Sequence, residues 1–206
     1  CAPLVERHAF SYPLLILSPE TSKAPTSGPA RYIPPHPGQG ALTDLARLRA
    51  AMRIWAESGA MDTSVNRSNL RTAMSGAREV YLGGHCVGGR RREEQPRHYF
   101  VTDTGDMAGW FQPSDLLALD LNADLVVHLA CQSGLFDVDQ NGGAISFARA
   151  FLFAGAHGVV SSQYLADEAS TIRLIGLFRE ELTQGLPRDV AMQRAKLAYL
   201  AQCSTT

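Results

Sequence analysis

Apolar positions along this chain fall into two kinds of run: short, nearly unbroken ones of strand length, and longer ones that recur every three or four residues. The first kind comprises Arg78-Glu79-Val80-Tyr81-Leu82-Gly83-Gly84-His85, Asp124-Leu125-Val126-Val127-His128-Leu129-Ala130-Cys131 and Gly158-Val159-Val160-Ser161-Ser162-Gln163-Tyr164. Apolar stretches with so little polar alternation suit strands covered on both faces. The second kind begins at Ala41, where Leu42, Leu45, Leu48, Met52 and Trp55 share one helical face until Gly59 supplies a stop. Short helical pieces are expected over Ser68 to Ser75 and from Pro113 to Leu119, proline being tolerated in a first turn. Ala144 to Ala154 reads as a buried helix closed by Gly155, and two helices, Asp167 to Gln184 and Pro187 to Ala201, flank Gly185.

The remaining segments complete the outline. Leu4 to Leu17 is rich in strand formers but broken by Pro13, which predicts an edge strand or two short pieces. Residues 18 to 40 carry Pro19, Pro25, Pro29, Pro34, Pro35 and Pro37 and predict a loop. Arg97 to Thr102 predicts a strand paired with its neighbour around an exposed hairpin. Strands alternating with helices point to an α/β sandwich, a mostly parallel central sheet flanked by helices.

Composition narrows the class. The 206 residues are enough for one domain. A formal charge of -1 gives no electrostatic reason to expect nucleic acid or an anionic membrane as partner, and the dense run Arg90-Arg91-Arg92-Glu93-Glu94, with its two signs adjacent, reads as a solvated turn. No apolar stretch approaches the ~20 residues that span a bilayer, and no signal peptide is recognisable. Cysteines at positions 1, 86, 131 and 203 lack the tight spacing of a disulfide framework, so reduced thiols and a cytoplasmic location are expected. Because the chain begins at Cys1 rather than Met, it is expected to be a fragment, a processed product or a trimmed piece of a longer protein.

Candidate chemistry lies at the ends of two runs. If the 78–85 and 124–131 segments are parallel strands of one sheet, His85 and Cys131 emerge at the same edge, where open α/β sheets place their sites. An imidazole that takes the thiol proton raises the nucleophilic fraction and can later protonate a leaving amine. The backbone N–H groups of Cys86 and Cys131 are the candidate oxyanion donors. Either residue alone is adequately explained as core, since free cysteine is often buried. Their joint placement, with Gly83 and Gly84 before the histidine and Gly134 after the cysteine, favours a site that a substrate backbone can approach closely.

The same residues also suit other chemistries. His85, Cys86, His128 and Cys131 are zinc-type ligands, but His128 and Cys131 are three apart on a strand and point to opposite faces, and no Cys-x-x-Cys knuckle is present; no metal or cofactor is expected. Asp137-Val138-Asp139-Gln140-Asn141-Gly142 copies the first half of a calcium loop yet has Ala148 where the bidentate Glu belongs. Cys1 could act as an N-terminal nucleophile, a role that extension of the N-terminus would abolish.

Tyr81-Leu82-Gly83-Gly84-His85-Cys86, followed by Ala123-Asp124-Leu125-Val126-Val127-His128-Leu129-Ala130-Cys131-Gln132-Ser133-Gly134, resembles the two signatures of CHAT-domain proteases, relatives of caspases and separases. The similarity continues through Ser146 to Ala156, Val160 to Asp167 and Gly185 to Ala191. It implies a single caspase-like domain over residues 1–206, a three-layer sandwich, and regulated cysteine endopeptidase activity with His85 as general base and Cys131 as nucleophile. It further implies a protein substrate, an upstream regulatory or sensor domain and a bacterial defence or stress role.

Two positions depart from the family pattern. Cys86 stands where the family usually has glycine, which would strain or rearrange an oxyanion hole requiring φ > 0; the alternative it motivates is a catalytically impaired interaction module. Gln163-Tyr164 replaces a Leu-Trp pair in the strand, from Ser162 on, that resembles the one pairing with substrate in caspase relatives. Asp167 falls where separases carry the acid that reads a basic P1 side chain, and it could equally cap the helix that follows.

Overall fold

A computed structural model describes residues 16–17, 27–35, 45–56, 61–87, 95–99, 110–134, 137–138 and 144–204. Four parallel strands form the centre: β2 (Ala30–Ile33), β3 (Glu79–Gly83), β7 (Leu125–Leu129) and β10 (Gly158–Ser161). With β1 (Ile16–Leu17) added antiparallel to β10, the sheet runs β1-β10-β7-β3-β2. Three further short strands, β4 (His85–Val87), β5 (Arg97–Tyr99) and β6 (Trp110–Phe111), make an antiparallel second sheet.

Side chains alternate across β7 and so build two cores. Leu125, Val127 and Leu129 pack with Leu48 and Met52 of α1 (Ala46–Trp55), with Leu174, Ile175 and Phe178 of α5 (Glu168–Thr183), and with Met192 and Tyr199 of α6 (Arg188–Ser204). Val126 and Ala130 face the other way, joining Leu70 and Met74 of α2 (Leu70–Met74), Leu116 of α3 (Pro113–Leu116) and Phe147 and Phe151 of α4 (Phe147–Phe153). Each fully buried side chain of this size contributes about 1.5–3 kcal/mol. Helices on both faces of a mostly parallel sheet make the three-layer α/β sandwich that the strand and helix alternation predicts. Among the described residues, no helix is long and apolar enough to cross a membrane.

Several boundaries differ from the sequence reading for local reasons. The proline-rich stretch expected to be a loop contains β2, a full partner of β3 with Tyr32 opposite Tyr81; Pro29 and Pro34 flank the strand and remove no donor from its interior. Helix α1 starts at Ala46, and the expected start at Ala41 and stop at Gly59 lie outside the described residues. Ala144 and Ile145 form a two-residue strand, β9 (Ala144–Ile145), paired with β8 (Asp137–Val138), so helix α4 begins only after Ser146, whose hydroxyl accepts the Arg149 N–H at 3.2 Å. The calcium-loop positions 139–143 and Cys1 lie outside the described residues. Strand β10 stops at Ser161, three residues before the expected end, because the next main-chain groups bond to the turn after β7.

Candidate active site

The register of the central sheet sets His85 and Cys131 in corresponding places. Gly83 is paired with Leu129, so each candidate lies two residues beyond the last register pair of its strand. The two do not end their strands in the same way. Beyond Gly83 the chain bends at Gly84, and His85 opens β4 of the second sheet, whereas the chain after Leu129 enters the turn 131–134. Both side chains are half-buried.

Position 84 has room only for glycine, because a second histidine fills the space beside it. A Cβ at Gly84 would fall 2.4 Å from His98 Nε2, closer than two such atoms can approach. His98, opposite Cys86 in the β4–β5 ladder, is fully buried, and its Nδ1 lies 2.9 Å from His128 Nε2. Phe111, Phe147 and Phe151 surround the pair with tilted and edge-on ring contacts. Burial pushes the pKa of His128 down to about 3, so the ring is neutral. Its Nδ1 has no hydrogen-bond partner among the described residues. A proton on Nε2, donated to His98 Nδ1, leaves no N–H of His128 stranded. His128 and Cys131 therefore serve opposite layers, and among the described residues no cluster of three or more metal-ligating side chains is gathered.

At the nucleophile turn the backbone takes an unusual path. Gln132, directly after Cys131, has φ of 56°, the left-handed region, which a non-glycine residue occupies only when its surroundings hold it there. The surroundings are explicit. Gln132 N–H donates to Tyr164 O at 3.0 Å and Gly134 N–H to Ser162 O at 2.7 Å, while Ser133 Oγ donates to His128 O and accepts the Ser162 N–H. Gly134 also needs its missing Cβ, which would fall 2.7 Å from Ser161 Oγ. Cys131 Sγ lies 3.4 Å from the Ala166 N–H and 3.5 Å from the Ala166 carbonyl. No feature of the sequence pattern marks Ala166 for this place.

Cys86 differs from Cys131 in every respect that governs reactivity. It is buried within β4, and burial together with the charge of Cys131 pushes its pKa up strongly. Among the described residues only Asn122 and Gln132 have positive φ without being glycine, so Cys86 occupies ordinary strand backbone. The strain expected for a cysteine in a glycine position is absent there.

Of the residues expected to contact substrate, Ser162 and Tyr164 spend main-chain groups on the Cys131 turn, and Ser162 Oγ bonds Tyr164 O at 2.8 Å. Gln163 lies between them, half-buried. Asp167 does what a helix cap does: it is exposed, its Oδ2 accepts the Ser170 N–H at 2.9 Å, and its carbonyl accepts Thr171 Oγ1. It does not line the cleft beside Cys131. That cleft, of about 90 Å³, is walled by Leu48, Leu129, Val160, Leu174 and Ile175. Among the described residues its one acid is Glu168, whose Oε1 accepts the Leu48 N–H at 2.8 Å and so caps α1, a helix with no acidic residue in its own first turn.

Compared with known families, residues 4–206 match the model of the CHAT domain. No curated protein matches the chain.

Proposed function

Since this chain belongs to the CHAT-domain family, a group related to caspase-like and separase-like cysteine proteases, we propose that it is a regulated cysteine endopeptidase with His85 as general base and Cys131 as nucleophile. The observation that carries this reading is their common place two residues past the Gly83–Leu129 pair, at the carboxyl edge of parallel strands. His85 takes the thiol proton, the thiolate attacks the scissile carbonyl, and the tetrahedral oxyanion is met by main-chain N–H groups at Cys86 and Cys131. As the C–N bond breaks, the amine leaves with the proton from His85; a water activated by the same ring then hydrolyses the thioester.

Regulation fits the way the thiol is held. With Ala166 O within hydrogen-bonding distance, the Cys131 S–H has an alternative acceptor to imidazole. An upstream sensor domain that shifts the 162–166 segment would change the thiol's partner, which agrees with activity released by a signal in a cytoplasmic defence or stress pathway. The basic P1 preference tied to Asp167 has no support in the geometry, because that carboxylate is engaged as a cap and stands outside the cleft. Backbone strain at Cys86 gives the impaired-module alternative no support, and that alternative rests instead on an oxyanion hole rearranged by this residue.

The test is cleavage by the full-length protein, activated and incubated with the proteins encoded beside it, followed by mass spectrometry of the products. Cys131→Ala and His85→Ala should each abolish the new termini with the fold unchanged; cleavage that survives either substitution removes the dyad.

A further inference from the structure

We infer that the cleft beside Cys131 is the primary specificity pocket and that it selects a medium-sized apolar P1 side chain, leucine or methionine, over arginine, lysine or aspartate. The inference rests on the endopeptidase reading, because Cys131 and the five apolar wall residues line one and the same cavity. Position decides which substrate residue enters: a side chain that reaches this space from a carbonyl poised at Cys131 Sγ is the one preceding the scissile bond.

The walls decide its chemistry. Leu48 and Leu174 come from helices α1 and α5, while Leu129 and Val160 come from the ends of β7 and β10, all four buried. An apolar side chain gains transfer free energy there, whereas a cation must shed water against hydrocarbon. Among the described lining residues Glu168 is the one charge that could reverse this, and it is already committed. Its carboxylate faces the N-terminal first turn of α1 and accepts the Leu48 N–H, so a basic side chain would compete with that helix terminus for it. An acidic P1 is repelled by the same carboxylate.

Two measurements on the full chain test the assignment together. Acetylated tripeptide chloromethyl ketones that differ only in the last residue (leucine, methionine, arginine, lysine or aspartate) are timed for alkylation of Cys131 by intact-protein mass spectrometry. In parallel, methyl NMR of Leu48, Val160, Leu174 and Ile175 follows titration of the Cys131→Ala protein with the matching peptide amides. The leucine and methionine reagents should label at least about tenfold faster than the arginine and lysine ones, the size of discrimination an apolar pocket gives. Their amides should shift the cleft methyls, and Thr171→Trp, which fills the cavity, should erase both effects. Fastest labelling by a basic or acidic reagent, or no methyl shifts with any peptide, overturns the pocket. Methyl shifts by the leucine peptide with Cys131 inert to every reagent support the pocket and count against the endopeptidase reading instead.

Discussion

Gly84 and His98 occupy one space between them: the imidazole stands where the side chain of any other residue at position 84 would begin, 2.4 Å from the Cβ site. The position from which the chain turns to His85 therefore leaves no room for a methyl group beside a ring fourteen residues downstream of Gly84. Gly84→Ala is expected to cost about 1–3 kcal/mol, the range for overpacking a filled core. Combining it with His98→Ala should give less than the sum of the two single losses, because the clash is gone. Urea unfolding of the four proteins measures this, and strict additivity would show that the two positions do not share the space.

Cysteine reactivity should follow burial. At pH 7.5 iodoacetamide is expected to modify Cys131 well before Cys86, whose thiol is buried and has its pKa pushed upward. Peptide mapping after timed quenching gives both rates, and in denaturant the difference should vanish. Equal rates in the folded protein would mean that β4 opens readily.

Stability should fall in mild acid because of His128. Its folded pKa of about 3 lies below the unfolded value of 6.5, so between those values the unfolded chain binds a proton that the folded one excludes. Stability from this group is complete above pH 6.5 and is lost as pH falls toward 3, at up to about 1.4 kcal/mol per pH unit for one proton. Denaturant midpoints at pH 7.5, 6 and 5 should drop accordingly. In His128→Gln, where nothing titrates at this position, the decline over that range should flatten.

Asp167→Ala should separate capping from substrate selection. Loss of the bond to the Ser170 N–H is expected to lower stability by about 1 kcal/mol. The ranking of P1 residues should stay as it is in the parent protein, since the carboxylate lies outside the cleft. A change in ranking without a change in stability would return Asp167 to the specificity pocket.

The central strands were readable from the amino-acid pattern because a parallel strand buried on both faces has no reason to alternate. Val80, Leu82, Val126 and Val159 belong to one layer, Tyr81, Val127 and Val160 to the other. β2 escaped notice because four residues between prolines carry little local signal, and it is pairing with Glu79–Leu82 that makes them a strand. The same holds for the His98–His128 contact, which joins residues thirty apart. A histidine inside an apolar run and a second glycine before His85 were its only traces. Asp167 shows a different limit. Cap and pocket acid look alike in sequence, and it is the Ser170 N–H donating to Oδ2 that identifies the cap.

The turn carrying Cys131 is fastened to main-chain groups of the segment after β10: Tyr164 O accepts the Gln132 N–H, Ser162 O accepts the Gly134 N–H, and the Ser162 N–H donates to Ser133 Oγ. Such a fastening is indifferent to the identity of the side chains at Gln163 and Tyr164. Those positions can accordingly be rewritten through evolution, or by design, to meet new targets while the thiol keeps its mounting. Diversification of targets and preservation of the reaction are thereby assigned to different atoms of the same few residues.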